Sequence, residues 1–151
     1  METRMVGDRP RRACTRCSFI HFTDPKVGVG VLVEQDGKIL LVRRMMEPER
    51  GKWSIPAGFL DSGEDPQETA VREAEEETGL HVTIDELVDV YYNPPSEGGA
   101  TIFLLYHASL VGGTLAAGDD AEDAQFFSLT NLPELAFKST RASIQLLIEK
   151  Q

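Results

Sequence analysis

The sequence predicts an α/β fold in which a mixed β-sheet lies between helices. Three observations predict this fold: apolar strand patterns separated by turn signals, a strongly capped helix after residue 64, and an amphipathic helix at residues 140–150. The chain has 151 residues, which is enough for one domain with a substantial core.

The first elements predict a hairpin behind an N-terminal tail. We expect residues 1–12 to form an irregular tail and residues 13–25 to form a short segment that leads into the main domain. Valine and glycine alternate in residues 27–34, which predicts a strand with something packed closely on one face. The pair Asp36-Gly37 indicates a tight turn, and residues 38–44 form the returning strand.

The central helix has clear signals at both ends. Asp65 is placed to cap its N-terminus, Pro66 suits the first helical position, and Glu68 completes a capping-box pattern. Gly79 suits the left-handed conformation that ends many helices, so we expect the helix to run to Thr78.

The second half predicts three more strands and a closing helix. The strands are predicted at residues 81–92, 101–110 and 125–128. In the closing helix, we expect the apolar residues Ile144, Leu147 and Ile148 to face the core.

The composition excludes several classes of function. The net charge of −10 argues against an extended nucleic-acid surface, because phosphate backbones need a basic face. No apolar run approaches the ~20 residues that span a bilayer, and the first residues lack a signal-peptide core. We therefore expect a cytoplasmic protein with no nucleic-acid or membrane partner. The two cysteines, Cys14 and Cys17, are too few for a disulfide framework.

Three glutamates in the central helix point to a metal. Glu73, Glu76 and Glu77 have helical spacing that puts their carboxylates on one face. Like charges at this spacing destabilise an isolated helix, and a hard divalent cation with oxygen ligands would offset the repulsion. The alternative is a solvated acidic surface.

The run GFLDSGEDPQETAVREAEEETGL, residues 58–80, resembles the signature of the Nudix hydrolase family. Seven fixed positions match in order and spacing, and only Ala74 is small for an aliphatic position. They are Gly58, Glu64, Arg72, Glu73, Glu76, Glu77 and Gly79.

The resemblance covers about residues 25–150 and implies the Nudix α/β/α sandwich, a mixed sheet between helices. We expect a Nudix domain at residues 25–151 after an N-terminal segment at residues 1–24. The family's reaction is hydrolysis of the pyrophosphate bond in a nucleoside diphosphate linked to another group, with Mg²⁺ or Mn²⁺ as cofactor.

The resemblance also implies residue roles. The metal ligands would be Glu73, Glu76 and Glu77, with Glu64 approaching from the preceding loop. Arg72 would orient a glutamate. The general base stays open between Glu76, Glu77 and an acid of the loop at residues 118–124, for which Glu122 is our choice.

The prediction of the substrate rests on two weaker features of the sequence. Pro95, 15 residues beyond Leu80, resembles a proline of the ADP-ribose pyrophosphatase subgroup. Cys14 and Cys17 resemble half of the zinc ribbon found in NADH pyrophosphatases and related FAD and ADP-ribose hydrolases. We therefore expect ADP-ribose or FAD as substrate, with AMP as product. Because the first cysteine pair of the ribbon is missing, Cys14 and Cys17 either bind a structural zinc ion with further ligands or are the remnant of such a ribbon. The alternative is a house-cleaning pyrophosphatase of oxidised or non-standard nucleoside triphosphates.

Further residues are candidates for contacting the nucleotide. The arginines before the signature would meet phosphates, and aromatic rings would stack on the base. The full set is Arg43, Arg44, Arg50, Phe59, Tyr92 and Pro95. Because many relatives are homodimers, we expect a homodimer. A different class of function, a Nudix-fold sensor that binds a nucleotide without cutting it, is disfavoured because every signature acid is present.

Overall fold

A computed structural model describes residues 1–150. The strands are β1 (Glu2–Val6), β2 (Arg9–Ala13), β3 (Ile20–His21), β4 (Val27–Gln35), β5 (Lys38–Arg44), β6 (Trp53–Ser54), β7 (Ala57–Phe59), β8 (Leu80–Tyr92), β9 (Ile102–Gly113) and β10 (Ala121–Ser128). The α-helices are α1 (Pro66–Thr78) and α2 (Lys138–Glu149), and Pro95–Glu97 forms one 3-10 turn.

The main sheet is mixed, as the sequence predicts. Its strands lie in the order β10-β5-β4-β9-β8, with β6 paired to β5 and β7 paired to β4. The β4 and β9 strands are parallel, whereas the other pairs in this sheet are antiparallel. The long strand β8 lies at the edge.

The sheet separates two apolar layers. On one face, Val29, Val31 and Val33 of β4 pack with Ala70 and Ala74 of α1. On the other face, the β4 residue Leu32 packs in a second cluster with Ile144 and Leu147 of α2. This alternation follows from the two-residue period of a strand. The α/β/α sandwich is thereby confirmed.

The glycines of β4 allow close packing on the α2 face. A Cβ atom at Gly28 would lie 2.8 Å from the Cβ atom of Ala100, and one at Gly30 would overlap the ring of Phe103. The prediction of a closely packed neighbour is therefore confirmed.

The N-terminal segment is more regular than the sequence predicts. Strands β1, β2 and β3 form a separate antiparallel sheet, in which Glu2 pairs with Ala13. Gly7 has a φ angle of 64° at the turn between β1 and β2, a conformation that glycine adopts without strain. The prediction of an irregular tail at residues 1–12 is therefore wrong.

The closing helix also differs in detail from its prediction. It begins at Lys138, two residues earlier than predicted. Ile144 and Leu147 are buried, but Ile148 is 38% exposed, so its prediction as a core residue is wrong. No helix within residues 1–150 is long and apolar enough to cross a membrane.

Candidate active site

A cavity of about 500 Å³ lies between the carboxylate face of α1 and the start of α2. Its walls include the end of β5, strand β7, the loop at residues 119–120 and the first residues of α2. The α1 side is acidic, with Glu73 and Glu77, whereas Arg44 lies in the wall at the end of β5.

Local signals position α1 beside the cavity. The side chain of Asp65 accepts hydrogen bonds from the backbone N–H groups of Gln67 at 2.8 Å and Glu68 at 3.2 Å. At the other end, Gly79 has a φ angle of 74° and its N–H donates to the carbonyl of Glu75. The predicted caps at Asp65 and Gly79 are confirmed. They fix which residues face the core and which face the cavity. The capping box predicted for Glu68 is not complete, because among the described residues its carboxylate accepts no hydrogen bond from the Asp65 N–H.

Arg72 holds three carboxylates together. One of its terminal nitrogens, Nη2, lies 3.0 Å from Oε2 of Glu64. The other, Nη1, lies 3.2 Å from Oε1 of Glu73 and 3.2 Å from Oε2 of Glu76. A guanidinium presents several N–H donors in a fixed plane and suits this task. The geometry agrees with the predicted orienting role of Arg72.

Gly58 makes room for the first carboxylate of this face. A Cβ atom at residue 58 would overlap the carboxyl group of Glu73. Burial raises the pKa of Glu73, and the neighbouring Glu76 raises it further, whereas Arg72 lowers it. The site therefore holds negative charge that is only partly neutralised by the protein.

Glu77 is the most buried acid of the group. Its side chain is 7% exposed. Burial raises the pKa of Glu77 well above its ordinary value, and the nearby charge of Glu73 adds to this effect, although a hydrogen bond from the Ala57 N–H opposes it. A cation in the cavity would favour the ionised form.

Asp119 joins the cluster from the loop before β10. Ligand oxygens of Glu73, Glu76 and Asp119 all lie within 4.8 Å of one another. The loop is attached to the end of α1, where Gly118 N–H donates to the Glu77 carbonyl at 3.2 Å. A Cβ atom at Gly118 would lie 2.6 Å from the Glu76 carbonyl oxygen. Asp119 lies in the loop at residues 118–124 from which the sequence suggested an acid, but no local signal distinguishes it from Glu122.

Glu122 does not lie with this cluster. Its Oε2 atom lies 3.2 Å from Nε of Arg43, whose guanidinium is 5.9 Å from the Trp53 ring centroid. Neither Arg43 nor Glu122 lines the cavity. Because successive residues of a strand point to opposite faces, Arg44 reaches the cavity and Arg43 does not.

The other predicted substrate contacts divide in the same way. Phe59 lines the cavity, with the Lys26 ammonium 5.5 Å from its ring centroid. Arg50 is exposed outside the cavity, and Pro95 opens the 3-10 turn without lining it. Tyr92 is 70% exposed and lies outside the main cavity.

The two cysteines lie between β2 and β3 and are both free thiols. The backbone N–H of Arg16 lies 3.3 Å from Sγ of Cys14 and is the main reason that the pKa of Cys14 is lowered. Within residues 1–150, no third histidine, cysteine or acid joins these thiols as a possible ligand. The zinc site stays a prediction.

Comparisons with known proteins agree with this geometry. A family model described as NUDIX domain matches residues 24–147. The ADP-ribose pyrophosphatase of Methanocaldococcus jannaschii is 43% identical over 117 residues, which are 77% of this chain and 69% of that protein. The NAD-capped RNA hydrolase of Vibrio atlanticus is 31% identical over 124 residues, which are 82% of this chain but 45% of that protein. The crystal structure of a Nudix hydrolase from Nitrosomonas europaea superposes with a TM-score of 0.88 at 32% identity, covering 99% of this chain and 86% of that one.

Proposed function

The chain belongs to the Nudix hydrolase family, and we propose that it is a divalent-metal-dependent pyrophosphatase that cleaves ADP-ribose or FAD and releases AMP. The observation that carries this proposal is the convergence of Glu73, Glu76 and Asp119 beside one nucleotide-sized cavity. Its volume of about 500 Å³ suits a small-molecule site. The 43% identity to an ADP-ribose pyrophosphatase supports the substrate class.

The residues present fit a divalent metal. The three clustered carboxylates offer the oxygen ligands that Mg²⁺ and Mn²⁺ prefer. Glu77, buried beside them, and Glu64, reached through Arg72, complete the proposed set. A bound Mg²⁺ would neutralise phosphate charge and make a water molecule more acidic.

The chain's own residues then have distinct tasks. Arg72 fixes the directions of Glu64, Glu73 and Glu76, a role that its three ion pairs support. Arg44 offers a positive charge to a phosphate, and the exposed ring of Phe59 offers a stacking surface at the cavity. We propose these as the substrate contacts in preference to Arg43, Arg50, Tyr92 and Pro95.

For the general base we propose Asp119 or Glu76. The base must lie within hydrogen-bond reach of the attacking water, directly or through one further water. Both residues belong to the carboxylate cluster, whereas Glu122 is paired with Arg43. A carboxylate there accepts one proton from the water that adds to phosphorus, while the bond to the bridging oxygen breaks.

A substrate panel tests the proposal. The protein is incubated with Mg²⁺ and ADP-ribose, FAD, NADH or oxidised dGTP, and the products are separated by chromatography. We expect ADP-ribose or FAD to give AMP fastest, with no AMP released when EDTA replaces Mg²⁺. If oxidised dGTP turns over far faster than both, the house-cleaning function takes the place of this one.

Several finer predictions need their own measurements. We propose a homodimer, which sedimentation velocity tests, and a cytoplasmic location, which cell fractionation tests. We also propose that residues 25–151 form the Nudix domain. Cys14 and Cys17 either take part in a zinc site or are the remnant of one, and metal analysis of the purified full chain decides between the two.

A further inference from the structure

The start of α2 forms the part of the cavity wall made by Phe137, Ser139 and Thr140. Ser139 is 8% exposed and Thr140 is 2% exposed. Buried hydroxyl groups almost always have a hydrogen-bond partner. Within residues 1–150, neither of these two hydroxyls makes a hydrogen bond and neither oxygen atom is fully enclosed, so each reaches the space of the cavity.

The N-terminus of α2 also lacks a cap. Its N-cap residue, Phe137, has no side-chain acceptor, and the first turn contains no acidic residue. The N–H groups of Ser139 and Thr140 lie in that turn, where helix geometry provides no acceptor within the helix. An uncapped terminus carries a partial positive charge that favours an anion.

Arg44 brings a full positive charge to the same end of the cavity. Its guanidinium lies 4.8 Å from the ring centroid of Phe137, and its Nε donates to the Pro48 carbonyl at 2.8 Å. Among the described residues, no carboxylate forms a salt bridge with Arg44. Arg44 lines the cavity and also feels the charges of Glu77 and Asp120, so it lies between the acidic wall and the start of α2, where it can contact a bound anion.

The cavity therefore has two chemically different ends. Glu73 and Glu77 make one wall acidic, and a phosphate can approach them only when a cation intervenes. The α2 end offers hydroxyls, helix N–H groups and a guanidinium, which can bind a phosphate directly.

We propose that the N-terminus of α2, through Ser139, Thr140 and Arg44, binds the substrate phosphate that lies farther from the carboxylate cluster, and that it does so without metal. This inference rests on the proposed function, because it takes the ligand to be a nucleoside diphosphate. It adds a specificity requirement, since a substrate needs a second phosphate to reach both ends of the cavity.

The test is a titration of the full chain with ADP-ribose in EDTA. Amide chemical shifts in NMR spectra locate the ligand, and calorimetry gives the affinity. We expect the amides of Ser139 and Thr140 to shift. Ser139→Ala and Thr140→Val should each weaken binding about tenfold, as expected for the loss of a hydrogen bond to a charged group.

Two matched variants control for damage to the helix. Thr140→Ser keeps the hydroxyl and should retain the affinity of the natural protein. Ser143→Ala removes a buried hydroxyl one turn later, which donates to the Ser139 carbonyl and does not line the cavity. This variant should also bind normally, and circular dichroism verifies that each variant is folded.

The outcomes separate this inference from the proposed function. The inference is overturned if folded Thr140→Val and Ser139→Ala bind as tightly as the natural protein, or if the natural protein binds no ADP-ribose in EDTA. Neither result would affect AMP release with Mg²⁺. Conversely, absence of AMP release from every substrate would refute the proposed function, while the metal-free affinity loss would still support the phosphate site.

Discussion

The two helices of the sandwich begin in different ways. At α1, Asp65 accepts hydrogen bonds from the backbone N–H groups of Gln67 and Glu68, which are exposed to solvent and lie outside the cavity. At α2, Phe137 offers no acceptor, and the first turn lines the cavity. The α1 helix thus contributes side-chain carboxylates from its second half, whereas α2 contributes its N-terminus. A helix terminus that a side chain has already capped has fewer free N–H donors for a ligand. The N-terminus of α1 therefore serves stability, whereas that of α2 is open to a ligand.

The largest effect is expected when a carboxylate that α1 contributes to the cluster is removed. We expect Glu76→Gln to lower kcat about 10³-fold, because a loss of several kcal/mol of transition-state stabilisation has this size at ~1.36 kcal/mol per tenfold. AMP release at saturating ADP-ribose and Mg²⁺ measures it. The control is Glu75→Gln, because Glu75 is exposed, does not line the cavity and forms a salt bridge, within residues 1–150, with His81 alone, at 3.5 Å. An active Glu76→Gln enzyme would remove Glu76 from the proposed ligands.

The next effect concerns the loop attached to the C-terminal end of α1. We expect Asp119→Asn to lower kcat about 10²-fold, the lower range for loss of a general base. Glu122→Gln should leave kcat unchanged, because Glu122 is paired with Arg43 outside the cavity. The same AMP assay compares the two variants, and the reverse ranking would restore Glu122 as the base.

A smaller effect concerns the charge buried on α1. Burial raises the pKa of Glu77, so the folded metal-free protein holds this proton more tightly than the unfolded chain does. The resulting stability is present below the unfolded pKa and is lost as the pH rises through the folded pKa. We expect Glu77→Gln to stabilise the metal-free protein by about 1–3 kcal/mol at neutral pH, the range for an unpaired buried polar group.

Denaturant unfolding in EDTA, repeated from acid to neutral pH, measures this effect. The stability gained on substitution should shrink as the pH falls, since Glu77 then becomes protonated in both states. A constant difference across the range would show that Glu77 does not titrate with a raised pKa.

The smallest expected effect is at the capped end of α1. Asp65→Ala should lower the free energy of unfolding by about 1 kcal/mol, the usual cost of losing an N-cap. Asp65→Asn, which keeps an acceptor, should cost less. Urea unfolding measures both, and equal stability of the alanine variant would show that the cap contributes nothing.

Elements with local signals could be predicted from the sequence. The α1 helix begins at Pro66 and ends at Thr78 as predicted, because Asp65, Pro66 and Gly79 act on neighbouring residues only. The alternation in β4 likewise predicted one strand with two different faces. Both rest on interactions within a few residues of each other.

Features that depend on distant contacts could not be predicted. The choice between Asp119 and Glu122 depends on the Gly118 N–H reaching the Glu77 carbonyl, a contact between segments far apart in sequence. The hairpin of β1 and β2 has no alternating apolar pattern to reveal it, since most of its residues are exposed. Ser139 and Thr140 of α2 become candidate ligand contacts only because the cavity lies against them, which the sequence does not show.

Gly58 shows how this arrangement constrains the evolution of the chain. Every single-base change of a glycine codon that gives another amino acid adds a Cβ atom, and at this position that atom would occupy the space of the Glu73 carboxyl group. Residue 58 therefore cannot change to another amino acid by neutral drift while the Glu73 carboxylate stays in place. A lineage that abandoned the reaction would be released from this steric constraint. We therefore expect substitutions at residues 58 and 73 to appear together, as a mark of descendants that have kept the fold and lost the chemistry.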